Sequence, residues 1–261
     1  MTPEQALQRV MVRLLYDPTL VARLYGGETP SSITAEQASM LRAHPPQAWG
    51  TDPYRASRTL QALIEEYPAS SSLIDAKTLH AFFRHPVFHN AIMNRQMLAE
   101  AFGQWLQSHA GPIAQFEQGI AIVRRRKAPV LPPDHLCCSP NHWPMALPTH
   151  TLSAWQDIRN KLGENPLQHM LSAGFSPFVR PRTGPGEDHW IVVMDAQGAL
   201  TLSHSSSATH GLLMAAMAPI SRADLCAHAC TLGADDSVEA AEIIDAFLEE
   251  GLLIAGGGDL G

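Results

Sequence analysis

Thirteen histidines and four cysteines are the residues of this chain best suited to ligate a metal or act as nucleophiles. Spacing decides whether they can. His85 and His89 stand four apart around Pro86, so a helix opening on that proline would put both rings on one face. No nearby glutamate completes the His-Glu-x-x-His pattern of a zinc protease, and a polar helix entrance is the simpler reading. Cys137-Cys138 lie between His135 and His142, and Cys226-x-His228-x-Cys230 forms a second cluster. Zinc ribbons and fingers generally use Cys-x-x-Cys pairs, whereas adjacent or i, i+2 ligands on a helix point to different faces. Cys226 and Cys230 share a face, where small apolar fillers serve as well as ligands. No metal site is assigned in this chain.

Nucleophilic and phosphate chemistry find less support. Ser205-Ser206-Ser207 lacks the Gly-x-Ser-x-Gly elbow, and a serine there is better placed to cap a helix. Gly184-Pro185-Gly186 and Gly256-Gly257-Gly258 lack the lysine and hydroxyl of a phosphate loop. Glu65-Glu66 and Glu249-Glu250 read as solvated helix faces. The one dense charge feature is Arg124-Arg125-Arg126-Lys127, following Ile120-Ala121-Ile122-Val123. Cations are favoured at a helix C-terminus, and docking of an acidic partner is the functional reading of the same run. No catalytic residue is assigned.

Composition narrows the class. A 261-residue chain with 45% hydrophobic and 16% charged residues is an ordinary folding chain, long enough for two domains. A formal charge of −7 offers no basic field for nucleic acid or an anionic membrane. Arg222 is the only Arg or Lys after Ser203, and a groove reader would need several. No apolar run approaches the ~20 residues of a membrane span. Met1-Thr2-Pro3-Glu4-Gln5 has neither the basic start nor the apolar core of a secretory signal, so a cytoplasmic protein with reduced cysteines is expected.

The elements that would position these residues divide into an α-rich half and a mixed half. An amphipathic helix begins near Pro3-Glu4 and carries Val10, Val12, Leu14 and Leu15. Asp17-Pro18 interrupts it, Leu20, Val21 and Leu24 resume it, and Gly26-Gly27 stop it. Thr34 with Gln37 predicts a capped helix start. Helical spacing continues from Asp52-Pro53 to Tyr67-Pro68, from Thr78 to Phe83, and from Ala91 to Leu106, the last with a stripe of Leu98, Phe102, Trp105 and Leu106. Six prolines between Ala128 and Pro148 predict a linker without helix or central strand. A short helix from Ser153 to Leu162 and a strand from Phe175 to Arg180 are expected next. Then His189 to Asp195, a turn at Ala196-Gln197-Gly198, and Ala199 to His204 form a hairpin. Helices from Ser206 to Met217, from Ser221 to Thr231 and over Ala240 to Glu250 follow it. The expected fold is α+β, mainly α: a helical bundle over 1–127, a Pro-rich linker over 128–150, and a small winged-helix-like domain with a hairpin or three-stranded sheet over 151–261.

Three features of the C-terminal stretch resemble the PqqD-like recognition domains of ribosomally made peptide pathways. They are the Trp190-to-Gly198 hairpin, the Ser205-Ser206-Ser207-Ala208 handover, and Phe247-Leu248-Glu249-Glu250-Gly251-Leu252-Leu253. Gly233 to Val238 is shorter than the acidic-apolar run that usually precedes the last helix of that family. Val12 to Pro18, Leu60 to Pro68 and Leu98 to Phe102 are similar to the helical domain of proteins that accompany multinuclear non-heme iron oxidative enzymes, and Glu117 to Arg125 would fit its end. The resemblance implies a non-catalytic partner, forming a heterodimer with a TIM-barrel iron enzyme in natural-product biosynthesis. It implies no cofactor in this chain, since the iron belongs to that enzyme. A precursor-peptide leader would bind by strand addition. Phe175, Phe178, Val179, Trp190, Val192 and Phe247 are the peptide-binding candidates. Arg124, Arg125, Arg126, His142 and Trp143 are the enzyme-binding candidates. A winged-helix transcription regulator and a metal-binding enzyme using the His and Cys clusters are the other classes open at this point.

Overall fold

The computed structural model describes residues 2–50, 54–170, 172 and 175–256. Its first helix starts where a side chain can serve the orphan amides. The Thr2 hydroxyl accepts from Gln5 N–H while Thr2 N–H donates to the Gln5 side chain, and Pro3 occupies the first turn of α1 (Pro3–Tyr16). Asp17 ends α1, and its carboxylate then accepts from the Thr19 and Leu20 amides at the head of α2 (Pro18–Tyr25). The expected Thr34–Gln37 capping box opens α3 (Ala35–Arg42). The next helices are α4 (Arg55–Glu66), α5 (Pro68–Ser71), α6 (Ala76–Ala81), α7 (Pro86–Met93), α8 (Leu98–Ala110) and α9 (Pro112–Val123). Asp52 and Pro53, expected at the head of α4, lie outside the described residues, as do Gly257 and Gly258.

The continuous helix expected over Ala91–Leu106 is two helices. Arg95 has φ 53°, and Gln96 N–H donates to the Ala91 carbonyl, closing α7 before α8 begins. At the other end of α8, Gly111 takes φ 59°, and a side chain there would collide with the Arg180 guanidinium.

By its contacts the described chain forms two units, 1–118 with 153–181 and 119–152 with 182–261. Aromatic rings hold the first. Phe82, Phe83, Phe88 and Phe102 are wholly or almost wholly buried and meet edge-to-face or tilted, with centroids 5.0–5.8 Å apart. Each fully buried ring contributes roughly 1.5–3 kcal/mol. A second cluster joins Ala69 and Ile113 to Ala154, Ile158 and Leu162 of α10 (Thr151–Leu162), with α11 (Pro166–Met170) following.

The second unit corrects the linker. Residues 128–150 supply β1 (His135–Cys138) and β2 (His142–Pro148). β1 is a central strand because it fits between Pro133 and Pro140 with no proline inside it. β2 contains Pro144 and Pro148 and lies at an edge, where a missing N–H is tolerated. β3 (Glu187–Met194) and β4 (Leu200–Ser205) are the expected hairpin, and with β2 they form an antiparallel sheet in the order β2-β3-β4. Its turn is fastened by the Asp195 carboxylate, which accepts from the Gln197 and Ala199 amides, with Gly198 at φ 81°. Then come α12 (Ser207–Ala215), β5 (Ile220–Ser221), α13 (Arg222–Thr231), α14 (Ser237–Glu249) and β6 (Leu253–Ala255). β5 and β6 flank β1 in a second antiparallel sheet. Fourteen α-helices and two small sheets among the described residues make the fold α+β and mainly α.

The strand expected over Phe175–Arg180 does not form. Those residues are irregular and belong to the first unit, where Phe178 N–H donates to the Ser72 carbonyl. Among the described residues, no helix is long and apolar enough to cross a membrane.

Candidate functional site

The β2-β3-β4 sheet has two edges, and they differ chemically. Pro144 and Pro148 each remove an N–H from β2. β4 is six residues long, carries no proline and bonds only to β3. Among the described residues, no backbone hydrogen bond leaves its outer side. An edge of this kind presents a row of unpaired N–H and C=O groups to an incoming strand. The edges of the other sheet, β5 and β6, are only two and three residues long.

Register fixes which side chains accompany that edge. His189 stands opposite Ser205, Trp190 opposite His204, Ile191 opposite Ser203, and Val192 opposite Leu202. Directly opposed residues share a face. On one face Ile191 packs with Leu212 and Leu213 of α12, and the His189 ring lies 4.8 Å from that of His210. Burial, and then the neighbouring His189, hold His210 below the usual histidine range. Thr201 and Ser203 continue this face to the edge and are exposed. On the other face lie Trp143, Met145, Trp190 and Val192, with Gly119 pressed so close that a side chain there would meet Met145 and Trp143. Half-buried Leu200 and Leu202 and exposed His204 carry that face to the edge, where His204 meets Trp190 at 90° with centroids 5.2 Å apart.

The candidate peptide-binding residues therefore separate. Val192 is 0% exposed and cannot touch a ligand without unfolding the sheet. Phe247 is partly buried and packs on the core formed by Leu225, Ala229 and Ile244. Phe175 and Phe178 meet each other and His169 edge-to-face or tilted in the first unit, and Val179 there is 92% exposed. Of the six, Trp190 and Val192 stand directly beside β4, opposite His204 and Leu202, and of these two only Trp190 is half-buried and not fully buried. Leu200 to His204 lie on the hairpin that the resemblance picks out but are not among the six, although the alternation Leu-Thr-Leu-Ser-His is legible. Reading it as an edge required knowing that β2 takes the other side of β3.

The basic run also separates. Arg124 is exposed. Arg125 donates to the Ala121 carbonyl, as the helix-terminus reading expects. Arg126 is tied inward, donating to the carbonyls of His142 and Met217, with its guanidinium 5.9 Å from the Trp143 ring centre. It braces β2 against the end of α12. His142 and Trp143 are half-buried on β2.

The histidine and cysteine clusters take structural positions. His85 caps α7, its Nδ1 accepting from Val87 N–H, which is the polar helix entrance. His89 is buried with Nε2 3.0 Å from the Phe83 carbonyl. Burial, helped by the Arg13 charge, lowers its pKa to about 4, so the neutral ring donates this bond. Cys137 and Cys138 are fully buried free thiols, and burial pushes Cys138 up to about 11. Cys226 is half-buried and Cys230 exposed on α13. Among the described residues, no three His, Cys, Asp or Glu side chains are grouped to hold a metal ion. Ser206 caps α12, accepting from Thr209 N–H.

One buried carboxyl group lies apart from all this. Glu117 of α9 is 2% exposed and accepts from Ala69 N–H, Ser70 N–H, the Ser70 hydroxyl and Trp155 Nε1–H. It caps α5, which has no cap of its own. Burial raises its pKa despite four donors that favour the ion.

No protein-family model matches the chain, and no curated protein matches it.

Proposed function

We propose that this protein is the non-catalytic, peptide-recognising partner of a peptide-modifying iron enzyme, working in the cytoplasm. The observation that carries the reading is the open, proline-free β4 edge, beside the proline-bearing β2. A precursor-peptide leader adds to β4 as a fourth strand. Main-chain hydrogen bonds supply its affinity, and Leu200, Thr201, Leu202, Ser203 and His204 supply its selectivity. The β3–β4 hairpin, with α12, α13 and α14 after it in the chain, supports the PqqD-like resemblance. The heterodimer with a TIM-barrel iron enzyme rests on the likeness of Val12–Pro18, Leu60–Pro68 and Leu98–Phe102 to helical companion proteins, with Arg124 the exposed cation of the proposed contact. Four free thiols suit a reducing compartment. Holding the leader raises the effective concentration of the modified residue at the partner's iron.

The test is co-expression of the tagged chain with a TIM-barrel iron enzyme and its short precursor peptide. Retention of both is expected, with loss of the peptide when its leader is removed. Failure to retain either one refutes the reading.

A further inference from the structure

The hairpin that offers the β4 edge is acidic at both of its ends. From residue 183 to residue 221, through β3, β4 and α12, there is no Lys or Arg, while Glu187, Asp188 and Asp195 are present. The carboxylates occupy the two ends of the hairpin and leave its middle uncharged. Asp195 sits at the turn, beside the Leu200 end of β4. Glu187 and Asp188 begin β3, just beyond the pairing of His189 with Ser205 at the opposite end of β4. The cations of this unit before β3 are Arg124, Arg125, Arg126, Lys127 and Arg182; Arg125 and Arg126 donate to protein carbonyls, Arg126 on the β2 side of the sheet, and exposed Arg182 precedes Glu187 by five residues. The middle of β4 offers half-buried Leu200 and Leu202 on one face and exposed Thr201 and Ser203 on the other.

We infer that the strand β4 receives is a cationic one: a segment of alternating apolar and polar residues with Lys or Arg near each end. This rests on the strand-addition reading above and specifies the class of peptide it takes. A strand rises about 3.4 Å per residue, so two cations about six to eight residues apart reach both acidic ends. Because acid lies at both ends, parallel and antiparallel peptides are served alike. Apolar side chains on one face of the peptide extend the Leu200–Leu202 surface, and polar ones lie beside Thr201 and Ser203. A second copy of this chain is a poor occupant, since pairing β4 with β4 would set acid against acid.

The experiment uses the full chain, isotope-labelled for NMR titration in low salt at about pH 8, above histidine's ordinary range. Three synthetic peptides alternate valine and threonine between terminal residues that are both lysine, both glutamine or both glutamate. A fourth is the lysine peptide N-methylated at alternate amides. The lysine peptide is expected to shift the amides of Leu200–Ser205 and to bind roughly 2- to 25-fold tighter than the glutamine one, at about 1.5- to 5-fold for each of its two exposed charge pairs. The glutamate peptide binds weakest, and the N-methylated one fails. In the triple variant Glu187→Gln, Asp188→Asn, Asp195→Asn the lysine advantage disappears. Asparagine keeps the turn that Asp195 fastens. Equal affinity for the three end-types, with N-methylation still abolishing binding, overturns the charge inference and leaves strand addition standing. Binding that survives N-methylation, no binding by any peptide, or a dimer through β4 that lysine peptides do not dissolve overturns strand addition itself.

Discussion

Replacing Glu117 probes the most heavily committed side chain of the first unit. Its Oε1 accepts from Ala69 N–H at 3.0 Å and Trp155 Nε1–H at 3.2 Å, and its Oε2 from Ser70 N–H at 2.9 Å and the Ser70 hydroxyl at 2.6 Å. Ala69 and Ser70 are completely buried, so in Glu117→Ala neither amide finds water. A sealed orphan donor costs about 1–3 kcal/mol. The Ser70 hydroxyl can rotate, half-buried Trp155 admits solvent, and the desolvation of the buried carboxyl is relieved, which offsets part of the loss. A net destabilisation of about 3 kcal/mol follows. Glu117→Gln is milder. Its amide oxygen can keep Ala69 and Trp155, its NH₂ can donate to the Ser70 hydroxyl, and only Ser70 N–H faces another donor, at about 1–2 kcal/mol. Urea denaturation followed by circular dichroism orders the three proteins wild type, Gln, Ala. The pH dependence supplies a second readout. A carboxyl whose folded pKa is raised contributes stability below its unfolded value of 4.5, and that stability is lost as pH rises through the folded value. The wild type should therefore weaken, relative to Glu117→Gln, as pH climbs from 4.5. A Glu117→Ala loss below about 1 kcal/mol, or a Gln variant weaker than Ala, refutes the capping argument.

His89 gives the opposite pH sign. Its folded pKa of about 4 against 6.5 unfolded means that its stabilisation is present above pH 6.5 and is lost as pH falls towards 4. Linkage sets a ceiling of about 3 kcal/mol, discounted to about 2 for the water that reaches the neighbouring arginines, and His89→Gln should flatten that slope in acid melts. Thiol labelling of the native protein should modify Cys230 first and Cys226 more slowly, leaving Cys137 and Cys138 protected until urea is added; early reaction of Cys138 would refute its burial. Gly103→Ala would put a methyl 2.5 Å from the Tyr67 hydroxyl and should lower stability by about 1–3 kcal/mol in the same urea assay.

Local chemistry was legible wherever it was decided within a few residues. Thr34 and Gln37 announce a capping box, Asp17-Pro18 a break with a fresh start, and Asp195 to Gly198 a hairpin turn, all settled by hydrogen bonds spanning at most five residues. Strands β1 and β2 were hidden because proline density argues against a sheet, while one short gap between prolines suffices for β1, an edge position tolerates the prolines of β2, and the partners of both lie far along the chain. Glu117 looks like any helical glutamate, since the donors that define it stand 47 and 48 residues earlier. The resemblance points to the hairpin and the last helix as wholes, and the sequence of Val192 and Phe247 does not separate interior from rim, which burial does. The rim itself, Leu200 to His204, became recognisable only once the strand order showed which side of the hairpin was vacant.

The chain crosses between its two units three times, after residues 118, 152 and 181, and this bears on how it is made. On the ribosome the N-terminus emerges first, so Ala69 and Ile113 are synthesised well before Ala154, Ile158 and Leu162, which cover them. Between these arrivals come β1 and β2, strands that must wait for β3, β5 and β6. Neither unit can close during synthesis in simple order, and the nascent chain carries an uncovered apolar face through that interval. A fragment cut at residue 127 keeps that face uncovered permanently, so it should aggregate where the full chain does not.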